Sequence, residues 1–315
     1  MRYDYTSIGF YTFDCLGRPV NDIPPGGDTI FIDELTLAVS GAAGSASIVA
    51  AKHGLDVLAV GGVGEDDMGD WVLARLQKHG VDVSRMQRCP GTGTSSSIVT
   101  TRPDGQRPAL HMKGATGAFT VEPDQLDQVL DAAIVHVGGA GLMDRMDGEP
   151  IAALLAEARR RERTTTLDVF AATPEDLTIV RPLLPSTDYF MPSIEEAQAL
   201  SGRTTLEDVA TFFLDMGCEC CVLTLGADGA YYRHRNGEAF QLPAFAIDVV
   251  CTCGCGDAFN AGFASGLHHG LDARGTVQLA QACSALNATG LGSQAGVVDY
   301  AATRAFAAGA PVRSE

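Results

Sequence analysis

The sequence predicts an α/β protein built on a mostly parallel sheet with crossover helices, and three observations carry that prediction. Strand-like and helix-like stretches alternate along most of the 315 residues. Hydrophobic residues make up 46% of the chain and charged residues 19%, enough apolar material for a large core and too little charge for a disordered chain. A glycine-rich turn, Cys251-Thr252-Cys253-Gly254-Cys255-Gly256, also runs straight into a helical apolar pattern.

The elements follow in order. Residues 8–13 read as a first strand with Asp14 at its end. Residues 41–53 read as a helix stopped by Gly54. Residues 57–60 are a buried strand. Residues 69–79 form a second helix, with Val72, Leu76 and His79 on one face. Residues 134–137 are a strand, and Pro150 suits the first turn of a helix that runs to about Arg161. Residues 165–169 are a strand with Asp168 near its C-terminal end. A helix over 205–216 is ended by Gly217, and a strand covers 220–225. Residues 231–235 and 238–242 flank Asn236-Gly237, a strong hairpin signal. Phe259, Phe263 and Leu267 recur every four residues, so a helix begins near Asp257 and stops at His268-His269-Gly270. Residues 5–37 and 88–113 break the alternation. They are rich in β-branched and turn residues, and are expected to pair into a small sheet outside the main body. No repeat or linker divides the chain, so 1–315 is expected to be one domain.

Charge and cysteine usage exclude several functions. With 22 basic and 39 acidic side chains the net charge is −17, which argues against a nucleic-acid partner. A phosphate-bearing small molecule stays open, because backbone amides bind anions without basic side chains. There is no secretory pattern at the N-terminus and no apolar run approaching ~18 residues, so neither export nor a membrane span is expected. Without an export signal a cytoplasmic location is expected, and an odd number of cysteines, nine, in such a reducing compartment argues against a disulfide framework. Cys218, Cys220 and Cys221 read as small residues of a buried strand. Cys251, Cys253 and Cys255 lack the second ligand pair that structural zinc requires.

The glycine-rich turn carries the chemistry. A helix start presents unpaired N–H groups and the positive end of the helix dipole, and Gly254 and Gly256 let a ligand approach the backbone. An anionic oxygen fits on the amides of 254–257. Asp257 is either a cap for those amides or a general base beside an anion hole. The segment is neither a Walker A loop nor a G-x-G-x-x-G, since Phe259 stands where a third glycine would be.

This turn, C-T-C-G-C-G-D, resembles the D-T-x-G-A-G-D signature of the ribokinase-like (PfkB) carbohydrate kinases. Four further segments resemble that family in its order. They are Ser40-Gly41-Ala42-Ala43-Gly44-Ser45, the stretch from Gly61 to Gly69, Pro192-Ser193-Ile194-Glu195-Glu196-Ala197, and Thr224-Leu225-Gly226-Ala227-Asp228-Gly229. The resemblance implies a three-layer ribokinase-like sandwich in which residues of about 10–37 and 88–113 form a β lid. It implies transfer of phosphate from ATP to a hydroxymethyl group, with magnesium. Asp257 would then be the base, and the amides of Gly254, Cys255 and Gly256 would hold the developing charge. Asp14, Gly41, Ser45 and Arg102 would bind the sugar, with Asp104 and Arg107 near the same lid turn. Thr224, Gly226, Gly229 and Asn287 would bind the nucleotide. Glu196 would act on magnesium through water, although Ser193 and Glu196 also spell a capping box. A homodimer through the lid also follows from the resemblance.

Four polar family positions differ: Cys251 for Asp, Ser45 for Asn, Ser193 for Asn and Phe170 for Asn. The first removes a ligand for a monovalent cation, and cysteine suits a hard cation poorly, so activity is expected to depend little on potassium. A sugar kinase is the leading reading. A nucleoside kinase, with Phe10, Phe13 and Phe170 lining a slot for the base, and a catalytically weak ligand-sensing relative are the alternatives.

Overall fold

The protein, seen as a computed structural model, is described over residues 1–170 and 173–313. Its first half comprises β1 (Tyr3–Gly9), β2 (Thr12–Arg18), β3 (Glu34–Ser40), α1 (Ala42–Lys52), β4 (Val57–Gly64), α2 (Asp67–Lys78), β5 (Asp82–Cys89), β6 (Ser96–Thr100), β7 (Ala109–Met112), α3 (Leu126–Val129), β8 (Ala132–Ala140) and α4 (Glu149–Arg160). The second half comprises β9 (Thr164–Val169), α5 (Leu177–Val180), β10 (Tyr189–Phe190), α6 (Ile194–Ser201), α7 (Leu206–Asp215), β11 (Cys220–Thr224), β12 (Ala230–His234), β13 (Ala239–Leu242), α8 (Cys255–His268), α9 (Ala273–Ala288) and α10 (Tyr300–Gly309).

Nine strands form the main sheet in the order β13-β12-β11-β10-β9-β8-β1-β4-β5. It is parallel from β11 to β5, and the β12–β13 hairpin adds an antiparallel edge. One face buries Ile151 and Leu154 of α4, Ala197 of α6 and Phe213 of α7 against strand residues such as Val135 and Leu167. The other buries Val49 of α1, Val72 and Leu76 of α2, and Ala258, Ala261 and Ala264 of α8 against Tyr5, Val57 and Ala59. Small residues on α8 let it lie close to its neighbours. A Cβ at Gly262 would come within 2.7 Å of Cys283 Sγ on α9. Cys220 and Cys221 are buried in β11 as apolar residues, and Cys218 is buried just before them.

The second sheet has the order β3-β2-β6-β7, with β2–β6 parallel and the other two pairs antiparallel. It is assembled from two excursions out of the main sheet, one after β1 and one after β5. The strand expected over 8–13 is in fact divided. Ile8 and Gly9 end β1 in the main sheet, Phe10 leaves it, and Thr12 opens β2 in the second, so Asp14 lies inside β2 and not at the tip of the first strand. The break is steric, because Gly9 has a positive φ of 154° and a Cβ there would meet Gly138 O at 2.1 Å. Likewise, residues 5–9 and 88–89 belong to the main sheet. The strand expected over 57–60 continues to Gly64, since Gly61 leaves room for the Tyr11 ring that a Cβ would meet at 2.6 Å.

Candidate active site

The main cavity, about 810 Å³, opens between the C-terminal ends of the main-sheet strands and the inner wall of the second sheet. Its floor is the start of α8. The helix begins at Cys255, two residues earlier than the apolar repeat suggested, because Gly254 caps it in the left-handed region (φ 75°). Only glycine fits there: a Cβ would also lie 2.6 Å from Ser293 Oγ. The Cys255 amide donates to Thr252 O at 3.3 Å, while the amides of Gly256 and Asp257 meet no backbone carbonyl among the described residues. A Cβ at Gly256 would meet nothing within 4 Å, so this turn faces open space. The geometry is a cradle of N–H groups at a helix dipole's positive end.

Asp257 is the third residue of α8 and keeps a partly exposed edge on the cavity. The protein packed around it raises its pKa above the ordinary carboxylate value. Ser45 and the Arg107 charge pull it back down, and Asp14 pushes it up. Ser45 itself lies on α1, fully buried, and its hydroxyl has no partner at strict hydrogen-bond geometry among the described residues. Asp168, at the end of β9, is raised well above the usual range, first by burial and then by repulsion from Glu196 and Asp257. Asn260, one helical turn beyond Asp257, is buried and its amide draws the Asp168 pKa back down, although neither amide atom has a partner at strict hydrogen-bond geometry among the described residues.

Across the cavity, Asp14 is 4% exposed. Its Oδ2 accepts a long contact from Cys253 Sγ (3.9 Å), and its Oδ1 has no partner among the described residues. Gly41, with φ 84°, precedes α1; a Cβ there would sit 2.5 Å from Phe10 O. Glu196 lines the cavity from α6, and its capping box is formed: Ser193 N and Oγ donate to Glu196 Oε2 at 3.0 and 2.6 Å, and Glu196 N donates to Ser193 Oγ at 3.3 Å.

A second, apolar cavity of about 290 Å³ shares Thr224, Gly226, Cys255 and Gly256 with the first and extends over Phe245, Ile247 and Val249. Gly229 closes the turn beneath it. Leu225 N donates to Gly229 O at 2.8 Å, and a Cβ at Gly229 would overlap Leu242 O at 1.9 Å. Asn287 is buried behind the cradle and does not line either cavity. Its Nδ2 donates to Cys253 O at 2.7 Å, and its Oδ1 accepts from Gln294 N at 2.6 Å.

The structure therefore gathers Asp14, Gly41, Glu196, Thr224, Gly226, Gly254, Cys255, Gly256 and Asp257 around one cavity, with Gly229 in the adjoining one. Arg102 stands apart: it is exposed, and its guanidinium donates to Gln106 Oε1 at 3.3 Å. Arg107, on the other side of the same turn, is exposed as well but lines the cavity. The period-two alternation through Arg107, Ala109 and His111 was the available signal. Phe10 and Phe170 line the cavity, but Phe13 packs edge-on against Trp71 at 5.1 Å on the opposite face of β2. Asn260 offered no signal beyond its position on a helix face otherwise made of small and aromatic residues.

Comparison with known proteins gives the family and the fold. A family model described as pfkB family carbohydrate kinase matches residues 7–299. The chain is 27% identical to the 2-dehydro-3-deoxygluconokinase of Bacillus subtilis over 84% of its length and 86% of that protein. It is 28% identical to the aminoimidazole riboside kinase of Salmonella typhimurium over 80% of its length and 82% of that protein. Among solved structures it resembles Arabidopsis thaliana ribokinase complexed with ribose and ATP (TM-score 0.83, 22% identity, 98% of this chain and 99% of that one). It also resembles a putative ribokinase II from E. coli in complex with ATP and Mg2+ (TM-score 0.82, 23% identity, 96% and 98%). These structural likenesses establish a ribokinase-like fold.

Proposed function

The chain belongs to the pfkB family of carbohydrate kinases, and from that premise we propose that it moves the terminal phosphoryl group of ATP to a hydroxymethyl group of a small sugar or sugar-like substrate. One observation carries the reading: a carboxylate, Asp257, stands in the first turn of a helix whose amides face a cavity, with a buried carboxylate, Asp14, on the opposite wall. Asp257 takes the proton of the attacking hydroxyl, whose oxygen then bonds to phosphorus as the bond to the departing diphosphate breaks. The amides of Gly254 and Gly256, joined by that of Cys255 on release of its long 3.3 Å bond to Thr252 O, hold the charge that builds on the transferred group. Asp14, whose carboxylate oxygens accept two hydrogen bonds, and the exposed backbone at Gly41 hold the sugar hydroxyls. Thr224, Gly226 and Gly229 border the apolar cavity that takes the nucleotide, and Asn287 supports the cradle from behind.

The donor set fits magnesium bound chiefly by phosphate and water. Among the described residues no cluster of three His, Cys, Asp or Glu side chains could hold a metal by itself. The repulsion that lifts Asp168 beside Glu196 and Asp257 is what a divalent cation would relieve. Magnesium, when bound, would neutralise phosphate charge, and Glu196, fixed by its capping box, would orient water toward it.

Measuring ATP consumption against a panel of sugars and nucleosides tests the reading. Asp257→Asn is expected to lower kcat by about 10²–10⁴-fold while MgATP still binds. Substantial turnover by that variant would show that Asp257 is not the base, and binding of sugar with no turnover by the native chain would favour a ligand sensor. Since the folded pKa of Asp257 is raised, the rate should climb with pH along a limb centred above the ordinary carboxylate value.

A further inference from the structure

Behind the cradle lies a groove of about 200 Å³ that the kinase reading leaves unused. Its walls are β3, the C-terminal ends of α1 and α2, and the loop of residues 291–295. β3 is an edge strand of the second sheet, paired on one side only. Lys52 stands in the last turn of α1 and Arg75 in the last turn of α2, where the negative end of a helix dipole favours a cation. His79, the C-cap of α2, follows Arg75 by four residues and shares its face. The fold brings the two helix ends together, so Lys52, Arg75 and His79 line one groove and no Asp or Glu does. That reverses the balance of a chain with 39 acidic and 22 basic side chains. Each of the three keeps donors to spare. Lys52 Nζ gives two of its three N–H groups to Gln294 O and Val297 O. The Arg75 guanidinium lies over the Trp71 ring at 6.0 Å, and neither it nor the His79 ring forms a hydrogen bond or ion pair among the described residues. Burial and the Arg75 charge lower the Lys52 pKa; burial and the charges of Lys52, Arg75 and Lys78 lower that of His79, so the charges acting on both are positive.

We propose that this groove binds a compact dianion, a dicarboxylate or a phosphate, and that its occupation steadies the loop behind the cradle. A planar guanidinium donates to either group bidentately, and the remaining N–H of Lys52 and the His79 ring supply further donors. The dianion brings the negative charge that the groove lacks and favours the ammonium form of Lys52, the form that holds Gln294 and Val297 most strongly. The route to the reacting centre is short. Ser293 lines both the groove and the main cavity, and Gln294 N donates to Asn287 Oδ1, whose Nδ2 donates to Cys253 O. Lys52, Arg75 and His79 line neither of the other two cavities, so this ligand is neither acceptor nor nucleotide. Its binding stands apart from the kinase reading, and only its effect on turnover rests on that reading.

Calorimetric titration of sodium malonate and of inorganic phosphate, at constant ionic strength, into the native chain, Arg75→Gln and Arg75→Lys tests this, and which anion binds distinguishes dicarboxylate from phosphate. The native chain is expected to bind at least one of them, with affinity about tenfold weaker in Arg75→Gln and a smaller loss in Arg75→Lys. The bound anion should raise the melting temperature of the native chain and not that of Arg75→Gln. Binding of neither anion would overturn the proposal, and so would binding of equal strength in Arg75→Gln, the sign of an anion held elsewhere. With the acceptor identified by the panel of sugars and nucleosides, and at saturating MgATP, the anion should raise kcat about threefold with MgATP affinity unchanged. Arg75→Gln should lose that rise and keep its basal turnover. Binding at Arg75 without a rise in kcat would support the site and overturn the steadying of the loop. A native chain that binds the dianion and not MgATP would support the site and overturn the kinase reading instead.

Discussion

Two glycines of one turn do opposite jobs, and the space around each separates them. Gly256 faces open space and Gly254 faces Ser293 in a left-handed conformation. Gly256→Ala is expected to leave the melting temperature unchanged or raise it slightly, since alanine is favoured over glycine in a helix by about 0.5–1 kcal/mol. It should nonetheless depress turnover, because its methyl would project into the open space proposed for the phosphoryl group. Gly254→Ala should lower both, because the clash and the positive φ act on the fold itself. Thermal melts and ADP release on the two variants check this. Equal losses of stability would contradict the assignment of Gly256 to the ligand. Asp257 follows the same logic in terms of charge. Because the fold raises its pKa, the ionised form is disfavoured in the folded state, so the stability it removes is absent below its unfolded pKa and grows as pH rises through the folded one. Asp257→Asn should therefore melt higher than the native chain at neutral pH.

At the scale of elements, the loop between α9 and α10 is held against the cradle by the chain's own groups. Lys52 Nζ at the end of α1 donates to Gln294 O at 3.0 Å and Val297 O at 2.7 Å. Ser40 and Ser293 hydroxyls lie 2.8 Å apart, and Asn287 ties Gln294 to Cys253. Cys251 packs among Leu16, Val99 and Leu291. Turnover is expected to be the same in potassium, in sodium or in neither, and strong potassium activation would contradict this. Lys52→Met should loosen the loop, seen as a lower melting temperature and a lower kcat with MgATP affinity preserved. The element order was legible from the sequence wherever glycine, proline or a capping residue punctuated an apolar repeat, as at Gly54, Pro150 and Gly217. The division of residues 8–13 between two sheets was not, because Ile8 to Phe13 is continuously β-like and the break comes from the close approach of Gly9 to Gly138. The site was legible where motif and backbone coincide, as at Gly254–Asp257. It was not legible where partners arrive from distant segments, so Lys52, Asn260 and the choice of Arg107 over Arg102 needed the fold.

At the scale of the whole molecule, the outer face of the second sheet exposes Leu35 (63%), Ile98 (57%), Leu110 (68%) and Met112 (45%). A second copy of the chain is the occupant expected there, because a two-fold axis would cover the same apolar patch on both copies at once. Sedimentation should show a dimer that Ile98→Lys with Leu110→Lys converts to monomer, and a native monomer across micromolar concentrations would rule this out. The net charge of −17 belongs mostly to the outer surface; five of the carboxylates, Asp14, Asp168, Glu195, Glu196 and Asp257, line the cavity, but the cradle itself is made of amides. The two excursions that build the second sheet, residues 10–40 and 90–114, have a consequence for how such a chain diversifies. They leave the main sheet and return to it without passing through α8, so the wall proposed for acceptor recognition and the turn proposed for phosphoryl transfer lie in separate stretches of sequence. The two stretches meet across the cavity, where Asp14 and Arg107 bias the ionisation of Asp257, so a lineage that remodels the second sheet keeps the cradle of amides while retuning the carboxylate beside it.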